Sequence, residues 1–387
     1  MMQDTTQCAA VKVFSCHEAA LFVGGDDSLW GLGYRAQGSG TDNCKLFKIE
    51  TPGDCRNFKK IAHGKFFRVV LTEEGKVFFS GQNRKYMYRS SMDRNIHTRH
   101  FFHIDDYYRL DEGERIVDIT AGKHYTAIVT DRGRIKCGGY IFYRYFSDCR
   151  YNPEQNEDYE FELRLPDDFK AKEVFGCERY NNLWVNAEKD GVIRTFGAGS
   201  STDLTGHNSS SQVSRFHQLE LPEGTHMTKI TCQGYVAVGV DNHERLWVWG
   251  EHFGKDSSDD CAILYEGNMG YRSKPMMVKY FTDNNLKVLD CASGYYNALV
   301  KVKNDQGKCF MYGFSQSEEH RSYIGGTGSL EVICKHYLSK LNVNGNNVAH
   351  FAMGKTAAYI LMGSDEDESK SIDPAHPEEK GLIHFYQ

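Results

Sequence analysis

Cys16, Cys177, Cys232 and Cys291 are the first side chains to weigh for chemistry. A thiolate could attack an electrophile or ligate a metal, but a nucleophilic cysteine needs a base beside it, and no local pattern supplies one. The twelve cysteines never occur as C-x-x-C, so a zinc site built from short pairs is not expected. These four instead recur near one place in a repeated pattern, where a small apolar residue belongs, and they read as core packing. His97, His100 and His103 stand three apart in HTRHFFH. On a helix they would share a face and could hold a metal, but this stretch is rich in strand formers. No catalytic residue, metal or cofactor is expected, and the chain reads as a non-enzyme.

The segment 84–110, RKYMYRSSMDRNIHTRHFFHIDDYYRL, carries a different chemistry. It holds five arginines and one lysine against three aspartates, interleaved with aromatic residues. Arginine and tyrosine are enriched among the anchors of protein interfaces. Arg84, Lys85, Tyr86, Tyr88, Arg89, Arg94, Arg99, Phe101, Phe102, Tyr107 and Tyr108 are therefore the candidate protein-contact residues. The bland alternative makes FFHI a strand and the arginines a solvated loop. A single-stranded nucleic acid would also suit such a mixture, but the formal net charge of −6 argues against a general nucleic-acid binder. The next aromatic stretch, YIFYRYFSDCRY (140–151), precedes an acidic one, NPEQNEDYEFELRLPDDF (152–169). Neighbouring units presenting opposite charge would help orient a partner.

The elements that must carry these residues follow from composition. Apolar residues make up 40% of the 387 positions and aromatics 13%, with 37 glycines and only 7 prolines. Abundant glycine beside Val, Ile, Tyr and Phe favours short strands and tight turns over helices. The opening MMQDTTQCAAVKVF lacks a basic start followed by an apolar run, and no apolar run reaches the ~18 residues of a membrane span. The reading expects a cytoplasmic chain with free thiols, neither secreted nor embedded in a membrane.

Repeats organise the chain. AHGKFFRVVLTEEGKVFFSGQN (62–83) aligns without a gap on TAGKHYTAIVTDRGRIKCGGYI (120–141). ITCQGYVAVGVDNHERLWVWG (230–250) lies over 119–139, although the turn DRG becomes NHE. Weaker copies span 16–33, 176–197, 292–313 and 352–386, the last interrupted by an acidic loop at 364–381. Markers fall near 16, 64, 122, 177, 233, 293 and 353, roughly 50 to 60 residues apart, the signature of a repeat array. Each copy reads as strand, acidic-glycine turn, strand. Glycine at the marker would allow close backbone approach near a central channel. A ring of such units buries each sheet between two neighbours, so the expected fold is an all-β, seven-bladed β-propeller over residues 1–387. AAVKVF (9–14) and LIHFY (382–386) are expected to close the ring within one sheet.

The pattern small–Gly–x5–apolar–apolar–x–acidic–x–Gly–x–apolar–x3–Gly, best seen from Gly64 to Gly81 and from Gly122 to Gly139, resembles the regulator of chromosome condensation repeat family. VWGEHFG (248–254) and SGQN (80–83) are similar to the family's repeat endings. The family's Gly-Gln-Leu-Gly tail is missing throughout. The resemblance implies the propeller, and among activities it implies nucleotide exchange on a small GTPase or a binding role. The family's photoreceptors use clustered tryptophans, whereas this chain has only Trp30, Trp184, Trp247 and Trp249. The leading expectation is a protein-interaction scaffold within a larger assembly, ciliary or axonemal microtubules being one home. The alternative is a guanine nucleotide exchange factor for a small GTPase.

Overall fold

The computed structural model describes residues 10–16, 19–33, 46–83, 97–139, 149–150, 160–200, 204–207, 213–250, 272–315, 330–334, 338–355, 357–363 and 383–386. Their strands pair into seven antiparallel sheets. The first holds β1 (Ala10–Cys16), β2 (Ala19–Gly24), β3 (Leu29–Gly33) and β4 (Phe47–Ile49). The second holds β5 (Phe58–His63), β6 (Phe67–Thr72), β7 (Val77–Gln82) and β8 (His97–His103). The third runs from β9 (Ile116–Gly122) through β10 (Tyr125–Thr130) and β11 (Ile135–Gly138), with β12 (Cys149–Arg150) outermost beyond β13 (Glu160–Leu163). The fourth comprises β14 (Lys170–Gly176), β15 (Asn182–Lys189), β16 (Val192–Gly199) and β17 (Val213–Gln218). The fifth comprises β18 (Met227–Thr231), β19 (Val236–Asp241), β20 (Leu246–Gly250) and β21 (Arg272–Met277). In the sixth, β22 (Lys287–Ser293), β23 (Asn297–Lys303) and β24 (Cys309–Ser315) are followed by β25 (Leu330–Cys334) and β26 (Leu338–Leu341), with β25 outermost. The last holds β27 (Val348–Met353), β28 (Ala358–Met362) and β29 (Ile383–Tyr386).

Each sheet begins with its innermost strand. Residues of β1, β5, β9, β14, β18, β22 and β27 together line one axial cavity of about 300 Å³. The chain is thus an all-β propeller.

The core is distributed rather than central. Seven hydrophobic clusters among the described residues each join two neighbouring sheets. Second strands are therefore covered on both faces, and every residue of β2, β6, β10 and β19 is buried. This explains why FRVVLT and YTAIVT read as nearly continuous apolar runs rather than alternating ones.

The acidic-glycine hairpin turns form as their sequences predict. Gly75 and Gly133 take φ of 82° and 77°, and Glu244 takes 59° in the variant turn NHE. A left-handed conformation is thus kept where its glycine is not.

Ring closure differs from expectation. The strand β1 pairs with β2 and opens the first sheet, whereas β29 pairs with β28 and ends the last. They do not share a sheet, because β1 already occupies the channel-side edge of its own. The two sheets instead meet through packing of Val13, Ala20 and Phe22 on Ala352 and Leu361. Two bonds stitch β1 to β27. The Val13 N–H donates to His350 Nδ1 (3.3 Å), and Ser15 Oγ donates to the Met353 carbonyl (2.6 Å).

Candidate binding face at the channel mouth

A β-bulge interrupts the pairing of the first and second strands in all seven sheets, skipping Val11, Lys59, Val117, Lys172, Thr228, Leu289 and Ala349. A bulge re-aims the side chain that follows it. The following residues are Lys12, Lys60, Asp118, Glu173, Lys229, Asp290 and His350, all ionisable. All but Glu173, which accepts from Asn186 of its own sheet, bridge neighbouring inner strands. Lys60 pairs with Asp118 at 2.8 Å and also donates to the Val174 carbonyl (3.0 Å). Asp118 accepts from the Val174 N–H (2.8 Å), and Lys229 pairs with Asp290. Lys12 donates to the Phe58 carbonyl at 3.1 Å. These contacts tie β1 to β5 and β27, β5 to β9, β9 to β14, and β18 to β22. The residue types of this belt change from copy to copy, so only the shared property of charge marks it in the sequence.

At the other end of the inner strands, the turns into the second strands form one face. Close approach there depends on small residues. A Cβ on Gly176 would sit 2.2 Å from the Ala121 carbonyl oxygen of the neighbouring sheet. Backbone bonds link successive turns: Lys123 N–H to Tyr180 C=O (3.1 Å), Glu178 N–H to Cys232 C=O (3.1 Å) and Tyr235 N–H to Tyr295 C=O (3.2 Å).

The turns of this face hold Lys65, Lys123, Arg179 and Lys355 beside Phe66, Tyr180, Tyr235, Tyr295 and Tyr296. The Arg179 guanidinium lies 4.3 Å from the Tyr235 ring centroid, 4.7 Å from that of Tyr295 and 5.6 Å from that of Tyr180. It donates to the Tyr235 hydroxyl as well. Such contacts contribute about 0.5–2 kcal/mol each and fix the guanidinium in place. Lys355 lies 5.6 Å from the Tyr295 ring. A recess of about 130 Å³ opens among Lys65, Lys123, Glu178, Arg179, Tyr180, Gln233 and Tyr295. Burial, with the nearby charges of Lys65 and Arg179, pushes the Lys123 ammonium below its ordinary range. Below the recess, Gln233 reaches across the channel and donates to the Ser15 carbonyl (2.8 Å) and hydroxyl (3.0 Å). Gln233 borders both the recess and the axial cavity.

Third strands end at this same face. The Gln82 N–H donates to the Phe66 carbonyl at 3.0 Å, and the backbone at Gly250 closes on that of Tyr235. Strand β7 therefore ends at this face. The segment 84–96 that follows Asn83 lies outside the described residues, and with it Arg84, Lys85, Tyr86, Tyr88, Arg89 and Arg94. Arg99 sits on β8, and its side chain is likewise not described. Three of the four candidate aromatics beyond it are not on the surface. Phe101, Tyr107 and Tyr108 are buried, and Phe102 packs against the cluster that holds the two tyrosines. Phe101 faces inward from β8, while Tyr107 and Tyr108 occupy a 3-10 turn (Asp105–Tyr108) laid over the joint between the second and third sheets. Consecutive inward tyrosines are possible there because the turn does not alternate as a strand does.

The cysteine reading holds for Cys177, Cys232 and Cys291, all buried and unbridged. Cys177 and Cys232 face each other across two sheets with sulfurs 2.8 Å apart. Burial pushes the Cys232 thiol well up and that of Cys291 up to about 12, so both stay protonated. The side chain of Cys16 is not described. The histidine triplet lies on a strand: His100 sits 3.7 Å from Glu50, while His103 meets Asp54 at 2.7 Å. Trp184 and Trp249 meet edge to face, 5.9 Å apart, between the fourth and fifth sheets. No helix among the described residues is long and apolar enough to cross a membrane.

No family model matches the chain. The mitochondrial RCC1 domain-containing protein RUG3 of Arabidopsis thaliana is 23% identical over 307 residues, covering 76% of this chain and 63% of that protein. The chain therefore spans less than two thirds of that relative's length. Human WBSCR16 superposes with a TM-score of 0.65 at 17% identity, over 94% of this chain and 89% of that one. Prp20p of Saccharomyces cerevisiae, whose structure is described with its binding to Gsp1p and histones, gives 0.64 at 13% identity over 91% and 82%. At such identities the two structures share the fold alone. The chain is thus similar in sequence to an RCC1 domain-containing protein and shares its fold with the two solved structures.

Proposed function

We propose that this chain is a non-enzymatic protein-interaction scaffold, a seven-bladed propeller with one sheet per blade, that engages its partner through the face bearing Arg179. The observation that carries the reading is the convergence of Lys65, Lys123 and Arg179 with Tyr180 and Tyr295 around one recess. Cations beside aromatic rings make anchors of the kind interfaces use. Arg84, Lys85, Tyr86, Tyr88, Arg89, Arg94 and Arg99 extend the same surface in this proposal, because β7, the strand before their segment, ends at that face. The scaffold would serve in a larger assembly, with ciliary or axonemal microtubules as one such home and the cytoplasm as its compartment.

Capture from source cells with the wild-type chain and two variants tests this. Lys65→Glu with Lys123→Glu is expected to lose the partner. Lys76→Glu with Lys308→Glu, in the hairpin turns of the opposite face, should retain it. Equal loss in both variants, or in neither, contradicts the reading.

A second reading is guanine nucleotide exchange on a small GTPase. It is favoured by the fold shared with Prp20p, which is described as binding Gsp1p. It predicts accelerated nucleotide release from a GTPase of the source cell, and no acceleration across a GTPase panel would end it.

A further inference from the structure

We propose that the recess between Lys65, Lys123 and Arg179 receives acidic side chains of a partner polypeptide. This deepens the scaffold reading above and rests on it.

Three cations and one carboxylate, Glu178, border the recess, leaving an excess of positive charge in a chain whose formal net charge is −6. None of the ion pairs among the described residues engages Lys65, Lys123 or Arg179. Like charges held this close, one of them partly desolvated, repel each other, and an entering anion relieves that repulsion. Burial first, and then that repulsion, lower the affinity of Lys123 for its proton.

Shape narrows the class of anion. A recess of about 130 Å³ admits the end of an acidic side chain, not a polymer backbone. Tyr180 and Tyr295 offer flat apolar walls to the methylenes of Asp or Glu and to peptide planes. A nucleic acid would need a basic track along its phosphates, whereas these cations surround one opening. Arg179 is already fixed by three tyrosine rings, so ordering it on binding costs little.

Fluorescence anisotropy of a labelled ten-residue Glu/Gly peptide added to the full chain tests this, with the Gln/Gly peptide as control. The acidic peptide should bind, weaken with added salt, and lose affinity about tenfold or more in Lys65→Gln with Lys123→Gln. Lys355→Gln, one turn away, should weaken it less. Lys76→Gln with Lys308→Gln should bind as wild type, and matching melting curves exclude unfolding as the cause. Equal binding to the Lys65/Lys123 variant overturns the proposal. So does binding of labelled oligo-dT to the chain when the acidic peptide itself fails to bind. If the peptide fails while cell-extract capture still depends on Lys65 and Lys123, the acidic-side-chain inference falls and the scaffold reading stands. If neither depends on them, both fall.

Discussion

The Arg179 guanidinium lies 4.3 Å from the ring centroid of Tyr235 and donates a hydrogen bond to that tyrosine's hydroxyl. Arg179 comes from the turn between β14 and β15, and Tyr235 from the turn between β18 and β19. One contact therefore ties two sheets at the channel mouth and sets the position of a cation that faces the recess.

Tyr235→Leu removes both the ring face and the acceptor. The expected loss is about 1–2 kcal/mol in urea unfolding. Tyr235→Phe should lose less, since the ring remains. Equal losses in the two variants would assign the whole effect to the hydroxyl.

Asp118 accepts from Lys60 and from the Val174 N–H, joining three successive inner strands. Its side chain is only 12% exposed. Asp118→Ala strips both donors of their acceptor at a nearly buried site and should cost about 2–4 kcal/mol. Exposed Asp131→Ala, which breaks a longer pair with Arg115 (3.5 Å), should cost under about 1 kcal/mol. Similar midpoints for the two variants would show that the belt does not hold the inner strands.

Gly176→Ala places a Cβ against the Ala121 carbonyl of the next sheet, 2.2 Å away. Backbone cannot yield there as a flexible side chain would. A loss of about 2–3 kcal/mol is expected, measured by thermal or urea unfolding. Gly191→Ala meets no atom within 4 Å, but its φ of 78° limits the loss to about 1–2 kcal/mol from strain alone.

His63 lines the axial cavity, and its ring nitrogens have no hydrogen-bond partner among the described residues. Burial, assisted by the Arg68 charge, lowers its pKa to about 3. The unfolded chain protonates this histidine near pH 6.5 while the folded chain resists. Stability is therefore fully present above pH 6.5 and falls as the pH drops toward 3, by at most about 1.4 kcal/mol per pH unit. Burial lowers His207, His226 and His350 as well, which adds to the same slope. Between pH 7.5 and 5 the urea midpoint of wild type should fall relative to that of His63→Leu. A constant gap between them would show that His63 titrates normally in the folded chain.

Much of the frame was legible in the sequence. Hairpins such as VVLTEEGKVFFSG declare themselves through apolar runs around an acidic-glycine turn, and their recurrence gives the array. Ring closure was not legible, because no local pattern says which edge of β1 is already taken. The burial of Tyr107 and Tyr108 was hidden too, since a 3-10 turn over a sheet joint reads like an exposed aromatic loop. The mouth cluster was harder still. Lys65, Lys123, Arg179 and Tyr295 are far apart in the chain, and each is unremarkable in its own turn. Only the ring brings them together, by superposing the same turn from successive sheets. The clue lay within the repeats: in five of the seven, the residue after the marker glycine is Lys65, Lys123, Tyr235, Tyr295 or Lys355, whereas Gly176 is followed by Cys177.

Lysine cross-linking of the partner-bound chain isolated from its source cells tests the binding face most directly. Cross-links to the partner should concentrate on Lys65, Lys123 and Lys355, and spare Lys76, Lys189 and Lys308 in the turns of the opposite face. Cross-links concentrated on the second set, with the first unmodified by the partner, would contradict the assignment of the channel mouth as the binding face.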